Sequence, residues 1–131
     1  MVVRLLLLVL GLFHLGNALW MLAFPGQWAA NVVHLPAPVH IELHFIADIG
    51  MAFLASGLAL LWSARRGAAY APCAIAGAAW PALHGFVHLR EWLMDGVPAA
   101  TGDILNEGIG VMLAGAAGAV LAWLRIRTGE A

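Results

Sequence analysis

The chain has 131 residues, 63% of them hydrophobic and only 10% charged, with a formal net charge of −1. This balance argues against an ordinary water-soluble fold and against a nucleic-acid partner, which calls for a basic surface. A chain this short would also bury only a modest soluble core.

Four apolar stretches cover about residues 5–24, 41–62, 68–94 and 104–126. Each is long enough for a ~30 Å hydrocarbon layer, which takes about 20 helical residues. The connections are short, so consecutive helices are expected to run antiparallel. The expected fold is all-α: an integral membrane four-helix bundle of up-down topology, one domain over residues 1–131. Lysine is absent; Arg4, Arg65, Arg66, Arg125 and Arg127 fall on one side of that topology and Arg90 alone on the other. The positive-inside rule then places both termini in the cytoplasm. Trp62 and Trp123 lie beside the inner arginines and Trp20, Trp28 and Trp92 near the outer ends, as two aromatic belts would.

Arg4 and the leucines after it could begin a secretory signal peptide. The apolar stretch runs on to Phe24, however, and contains His14 and Asn17, so it is expected to stay as the first helix. Pro25-Gly26-Gln27-Trp28 should end that helix. Residues 29–35 are expected to form a short interfacial helix, with His34 solvated, and Pro36-Ala37-Pro38 leads into the second span.

The second span opens with His40-Ile41-Glu42-Leu43-His44. A zinc-protease helix needs glutamate directly after its first histidine, and Glu42 comes one residue too late. His40, His44 and Asp48 nevertheless share a helical face. Gly50 and Gly57, with Ala52, Ala55, Ser56 and Ala59, offer small surfaces for close helix packing.

Arg65-Arg66-Gly67 reads as the inner turn. In the third span Pro72 and Pro81 each free the carbonyl four residues earlier. The sole cysteine, Cys73, has no partner for an intrachain disulfide. At the outer end His84, His88 and Glu91 follow i, i+4, i+7 spacing and share one face. After the Asp95-Gly96-Val97-Pro98 turn, Thr101 or Asp103 can cap the fourth helix, and Glu107 lies one turn deeper. Gly108, Gly110, Gly115 and Gly118 make that helix thin, with room for neighbouring helices or a flat cofactor. Met21, Met51, Met94 and Met112 do not cluster and read as core filling.

In its layout the chain resembles the DoxX-like group of small four-helix bacterial inner-membrane proteins. The resemblance rests on the first helix followed by Phe24-Pro25-Gly26, the acidic start of the second, and Leu93-Met94-Asp95-Gly96-Val97-Pro98 before an acidic fourth. It implies a bacterial inner-membrane location and, for some members, an association with redox or thiol metabolism. It implies no catalytic residues.

A charged side chain at the bilayer centre costs about 2.5–3.5 kcal/mol even on lenient scales. The polar residues of the spans are therefore expected to face inward and satisfy one another, water or a ligand. Antiparallel helices would bring His14, His40, His44, Asp48, His84, His88 and Glu107 together in the outer half. That donor set suits a divalent transition metal, zinc or iron. His44, His84 and His88 are the primary ligands in this reading. Iron would point to oxidation of a lipophilic substrate or quinone, zinc to a hydrolytic or structural role. One alternative is a b-type haem held by His44 and His88, with Arg90 at a propionate. Another is a small transporter or proton relay, or an accessory subunit of a larger membrane complex. The expected surroundings are the lipid bilayer and, beyond it, a second copy or a larger assembly.

Overall fold

The computed structural model describes residues 1–34 and 40–128, without the side chain of residue 41. The Pro36-Ala37-Pro38 segment and Leu35 lie outside the described residues. All regular structure among those residues is helical. Helix α1 spans Val2–Ala23, α2 Pro25–Val32, α3 His40–Ser63 and α4 Pro72–Asp95. Helix α5 runs over Thr101–Thr128, and its stretch Ile104–Leu113 is wound as a π-helix.

Two boundaries differ from expectation, and proline explains both. Pro25 sits at the first turn of α2 rather than in a loop, and Pro72 likewise opens α4. Proline's fixed φ and missing N–H suit a first helical turn. The short helix after α1 therefore occupies Pro25–Val32 rather than 29–35. The residues before Pro72 form only a 3-10 turn, Ala68–Tyr70.

Three helices are long and apolar enough to cross a membrane: Val2–Ala23, Glu42–Ser63 and Thr101–Thr128. Helix α4 has 24 residues but is not among them. Its histidines, prolines and tryptophans dilute an otherwise apolar sequence.

Each long helix has two long neighbours. Helix α1 packs on α3, α3 on α4, α4 on α5, and the Ala114–Thr128 part of α5 returns to α1. The buried stripe of α1 is Leu7, Gly11, His14, Ala18 and Met21, in alternating four- and three-residue steps. That is the spacing of a helix laid along another helix. Glycines set the close approaches. A Cβ on Gly57 would meet the Leu15 backbone nitrogen at 2.9 Å, and one on Gly77 the Leu60 nitrogen at 2.8 Å. One on Gly115 would run into the Pro81 carbonyl. Small residues let helix backbones touch where apolar side chains gain nothing by leaving lipid.

Inside α4, Pro81 supplies no N–H to the carbonyl of Gly77. The Ser56 hydroxyl of α3 donates to that carbonyl instead, at 2.5 Å. At the C-terminal end of α3, Arg125 of α5 is fully buried. Its guanidinium donates to the carbonyls of Ser63, Arg65 and Gly67 at 3.1, 3.1 and 2.8 Å. A cation there complements the carbonyl end of α3, so Arg125 is a buried staple as well as a member of the arginine cluster. Arg65 lies over the Trp62 ring at 4.7 Å and Arg127 over Trp123 at 4.7 Å, consistent with amphipathic anchors at a helix end.

Candidate functional site

A cavity of about 360 Å3 opens among all five helices. Its wall is mostly apolar, with Phe13 of α1, Val33 just after α2, and Phe45, Ile46, Ile49 and Phe53 of α3. The polar part comes from His84 and His88 of α4 and Asn106 and Glu107 of α5, with Asn17 and Trp28 on the other side. The volume is near the lower end of the range for small-molecule sites, about 300–1,000 Å3.

His84 and His88 stand one helical turn apart, their rings edge to face with centroids at 4.8 Å. His84 stacks on Trp80 at 4.7 Å, and Trp80 meets Phe53 edge-on at 4.8 Å. This aromatic column holds the imidazole by its face. His88 Nδ1 is buried without a hydrogen bond, 3.4 Å from a Glu91 oxygen and 3.6 Å from a Glu107 oxygen. The same Glu107 oxygen accepts a 2.5 Å hydrogen bond from Trp92 Nε1. Glu107 is thus fixed by α4 while lining the cavity.

Asn106 and Glu107 both reach the cavity from the π-helical stretch. Neighbouring residues on an α-helix point about 100° apart, and the wider π turn turns successive side chains by less. Gly110 and Val111 lie on that wall as well. π turns recur at functional sites.

Helix α2 roofs the cavity. Trp28 Nε1 donates to Asn17 Oδ1 at 2.9 Å, tying α2 to α1. The Asn106 amide points to the Val32 carbonyl at 3.5 Å, and His34 Nδ1 lies 3.2 Å from Asp103 Oδ1. His34 adopts a left-handed φ of 55°, a conformation that costs energy without glycine. These contacts at the end of α2 hold it there.

The histidine face expected on α3 is placed elsewhere. His44 and Asp48 pair at 3.5 Å with side chains 69% and 62% exposed, and His40 is exposed too. The interior face of α3 carries Ile46, Gly50, Phe53, Ser56, Gly57 and Leu60. Close packing at Gly50 and Gly57 fixes the rotation of α3 on α1, and that turns 44 and 48 to the opposite side. His44 and His88 are therefore not brought together as a haem pair. His14 is buried beside the cavity against Phe53, with ring centroids at 5.3 Å. Of the seven candidate ligands, His84, His88 and Glu107 meet in the cavity wall. Among the described residues, no group of three or more His, Cys, Asp or Glu side chains converges to hold a metal ion.

The residue spacing alone singles out none of Asn106, Phe53 and Trp80. Asn106 beside Glu107 was a legible signal, since two adjacent polar residues stand there in an apolar helix. From the sequence, Trp92 reads only as a belt residue. No family model, no curated protein and no solved structure matches the chain.

Proposed function

We propose that this is a multi-pass protein of a bacterial inner membrane that binds a small lipophilic molecule in the cavity. His88 and Glu107 provide the polar end of that site. The observation that carries the reading is an apolar cavity with two histidines and a carboxyl group gathered on one wall. A pocket of that kind takes an apolar body and orients it by a few convergent polar groups. Adjacent imidazole and carboxyl groups also exchange protons with a bound hydroxyl or carbonyl. Binding of a lipophilic phenol or quinone, with proton exchange at its oxygen, is the chemistry these groups suit. The DoxX-like layout agrees with the membrane.

In this reading α1, α3, α4 and α5 form an antiparallel up-down bundle with both termini in the cytoplasm. The reading is supported by Gly50 facing Met21 and Leu22 while Gly57 faces Gly11 and Leu15, and by Gly85 facing Met112 while Gly118 faces Ala78. Residue numbers fall along one helix as they rise along the next. The less apolar α4 crosses as the helix whose polar residues face the cavity.

The test is direct binding of 4-propylphenol to the purified protein in mild detergent. Saturable binding near one equivalent is expected, weakened at least tenfold by His88→Phe or Glu107→Leu. Unsaturable partitioning, identical in the variants, would sink the reading.

A metal-assisted form of the site is the second reading. His88 Nδ1 faces two carboxylate oxygens at 3.4 and 3.6 Å. Donors bound to one zinc ion at about 2.0–2.2 Å stand roughly that far apart. It ranks second because no group of three such ligands converges among the described residues. Elemental analysis separates the two: stoichiometric zinc or iron, lost when His84 and His88 become alanine, would favour the metal.

A further inference from the structure

His14 is the polar exception in the buried stripe of α1, whose other members are Leu7, Gly11, Ala18 and Met21. It is 1% exposed, and neither ring nitrogen has a hydrogen-bond partner. An unpaired buried polar group destabilises a fold, and an apolar side chain of similar shape would remove that penalty. The surroundings of the ring offer no polar relief. Phe13 lies at 5.5 Å and Phe53 at 5.3 Å, centroid to centroid. Phe53 is also a wall of the cavity, and it meets His84 at 6.3 Å. One aromatic ring therefore touches both an unpaired imidazole and the histidine wall of the cavity. Phe13 and Asn17, on either side of His14 in sequence, already line the cavity.

We propose that His14 is a second polar contact of this site, reached when the Phe53 ring swings aside. The site then takes a ligand with hydrogen-bonding atoms at two ends, one meeting His88 and Glu107 and the other meeting His14. This rests on the cavity being a ligand site and adds the chemistry of the ligand's second end. Phe53 is itself buried and packed on Trp80 and His84, so the swing is a change of rotamer that the bound ligand must stabilise. The His14 nitrogens gain their missing partner from the ligand, which turns a group that weakens the empty fold into one that selects what binds.

The experiment compares two probes of one skeleton: 4-propylphenol, polar at one end, and 3-(4-hydroxyphenyl)propan-1-ol, polar at both. Binding of each is measured for the full chain, for His14→Phe and His14→Leu, and for His88→Phe, together with thermal unfolding. Both His14 variants should melt at or above the parent temperature. They should weaken the two-ended probe roughly tenfold, the scale of one hydrogen bond, and leave the one-ended probe unchanged. If His88→Phe weakens both probes but the His14 variants bind both as the parent does, the cavity stands as a site and the role of His14 is overturned. If both His14 variants melt at a lower temperature, His14 is a structural group, which also overturns it. If neither probe binds the parent protein, the cavity reading falls and this inference with it.

Discussion

Serine 56 and proline 81 show how one backbone atom can couple two helices. Proline leaves the Gly77 carbonyl without its own helix's N–H, and Ser56 replaces that donor from α3. Ser56→Ala should therefore lower stability by about 1–2 kcal/mol, the cost of an unmet buried acceptor. In a Pro81→Ala background the helix N–H returns, and the same serine change should cost far less. Unfolding of the four combinations measures this coupling directly. The Trp92–Glu107 bond makes a similar pair nearer the site. Trp92→Phe and Glu107→Leu should be non-additive by about 1 kcal/mol in the same kind of cycle. Additive effects would mean that the cross-helix hydrogen bond does not hold Glu107 in place. That prolines free carbonyls was legible in the residues; that serine 56 would answer was not. The answer depends on which face of α3 meets α4.

Among the elements, α5 divides into two working halves. Over Ala114–Thr128 its glycines are contact points, with Gly115 pressed on Pro81 and Gly118 near Leu10 and Ala78. Over Ile104–Leu113 the π turns spread Asn106, Glu107, Gly110 and Val111 along the cavity. Gly115→Ala should be strongly destabilising, because the new Cβ meets a backbone carbonyl that cannot move alone. Gly110→Ala should fold nearly normally, since a Cβ there meets only the Asn106 side chain, at 3.5 Å. It should instead shrink the cavity and weaken the binding of 4-propylphenol. Thermal unfolding and probe titration of the two variants check this contrast. The glycines were visible as a thinning of the helix. The division between packing and cavity was not, because composition carries no record of π winding. On α3 the histidine spacing did define a common face for His40, His44 and Asp48, but rotation about the helix axis decided where that face points. Close packing at Gly50 and Gly57 sets that rotation.

For the whole molecule, the sharpest prediction concerns which ends of the helices share a side of the membrane. Arg66→Cys and Val97→Cys, each in a Cys73→Ser background, mark the turns before and after α4. A membrane-impermeant maleimide added to intact cells should label the cysteine at 97 and reach that at 66 only after permeabilisation. Equal labelling from outside would show that α4 does not cross. The result bears on the arginine asymmetry, since Arg65 and Arg66 share the α3–α4 turn and Arg90 lies near the far end of α4.

The sequence by itself determined that this chain is helical and built of segments suited to a bilayer, because hydrophobicity and segment length are local and additive. It also placed the turns at Arg65-Arg66-Gly67 and Asp95-Gly96-Val97-Pro98, where Gly67 and Gly96 take positive φ values of 106° and 95° that glycine alone adopts freely. Only the tertiary structure decided which polar residues meet. His84, His88 and Glu107 converge because α4 and α5 pack through Gly85, Gly108 and Gly115, whereas His44 and Asp48 are turned away by the packing of α3. Helical spacing gives each residue an angle relative to its own helix, and the angle between one helix and another is set by side-chain contacts distant in sequence.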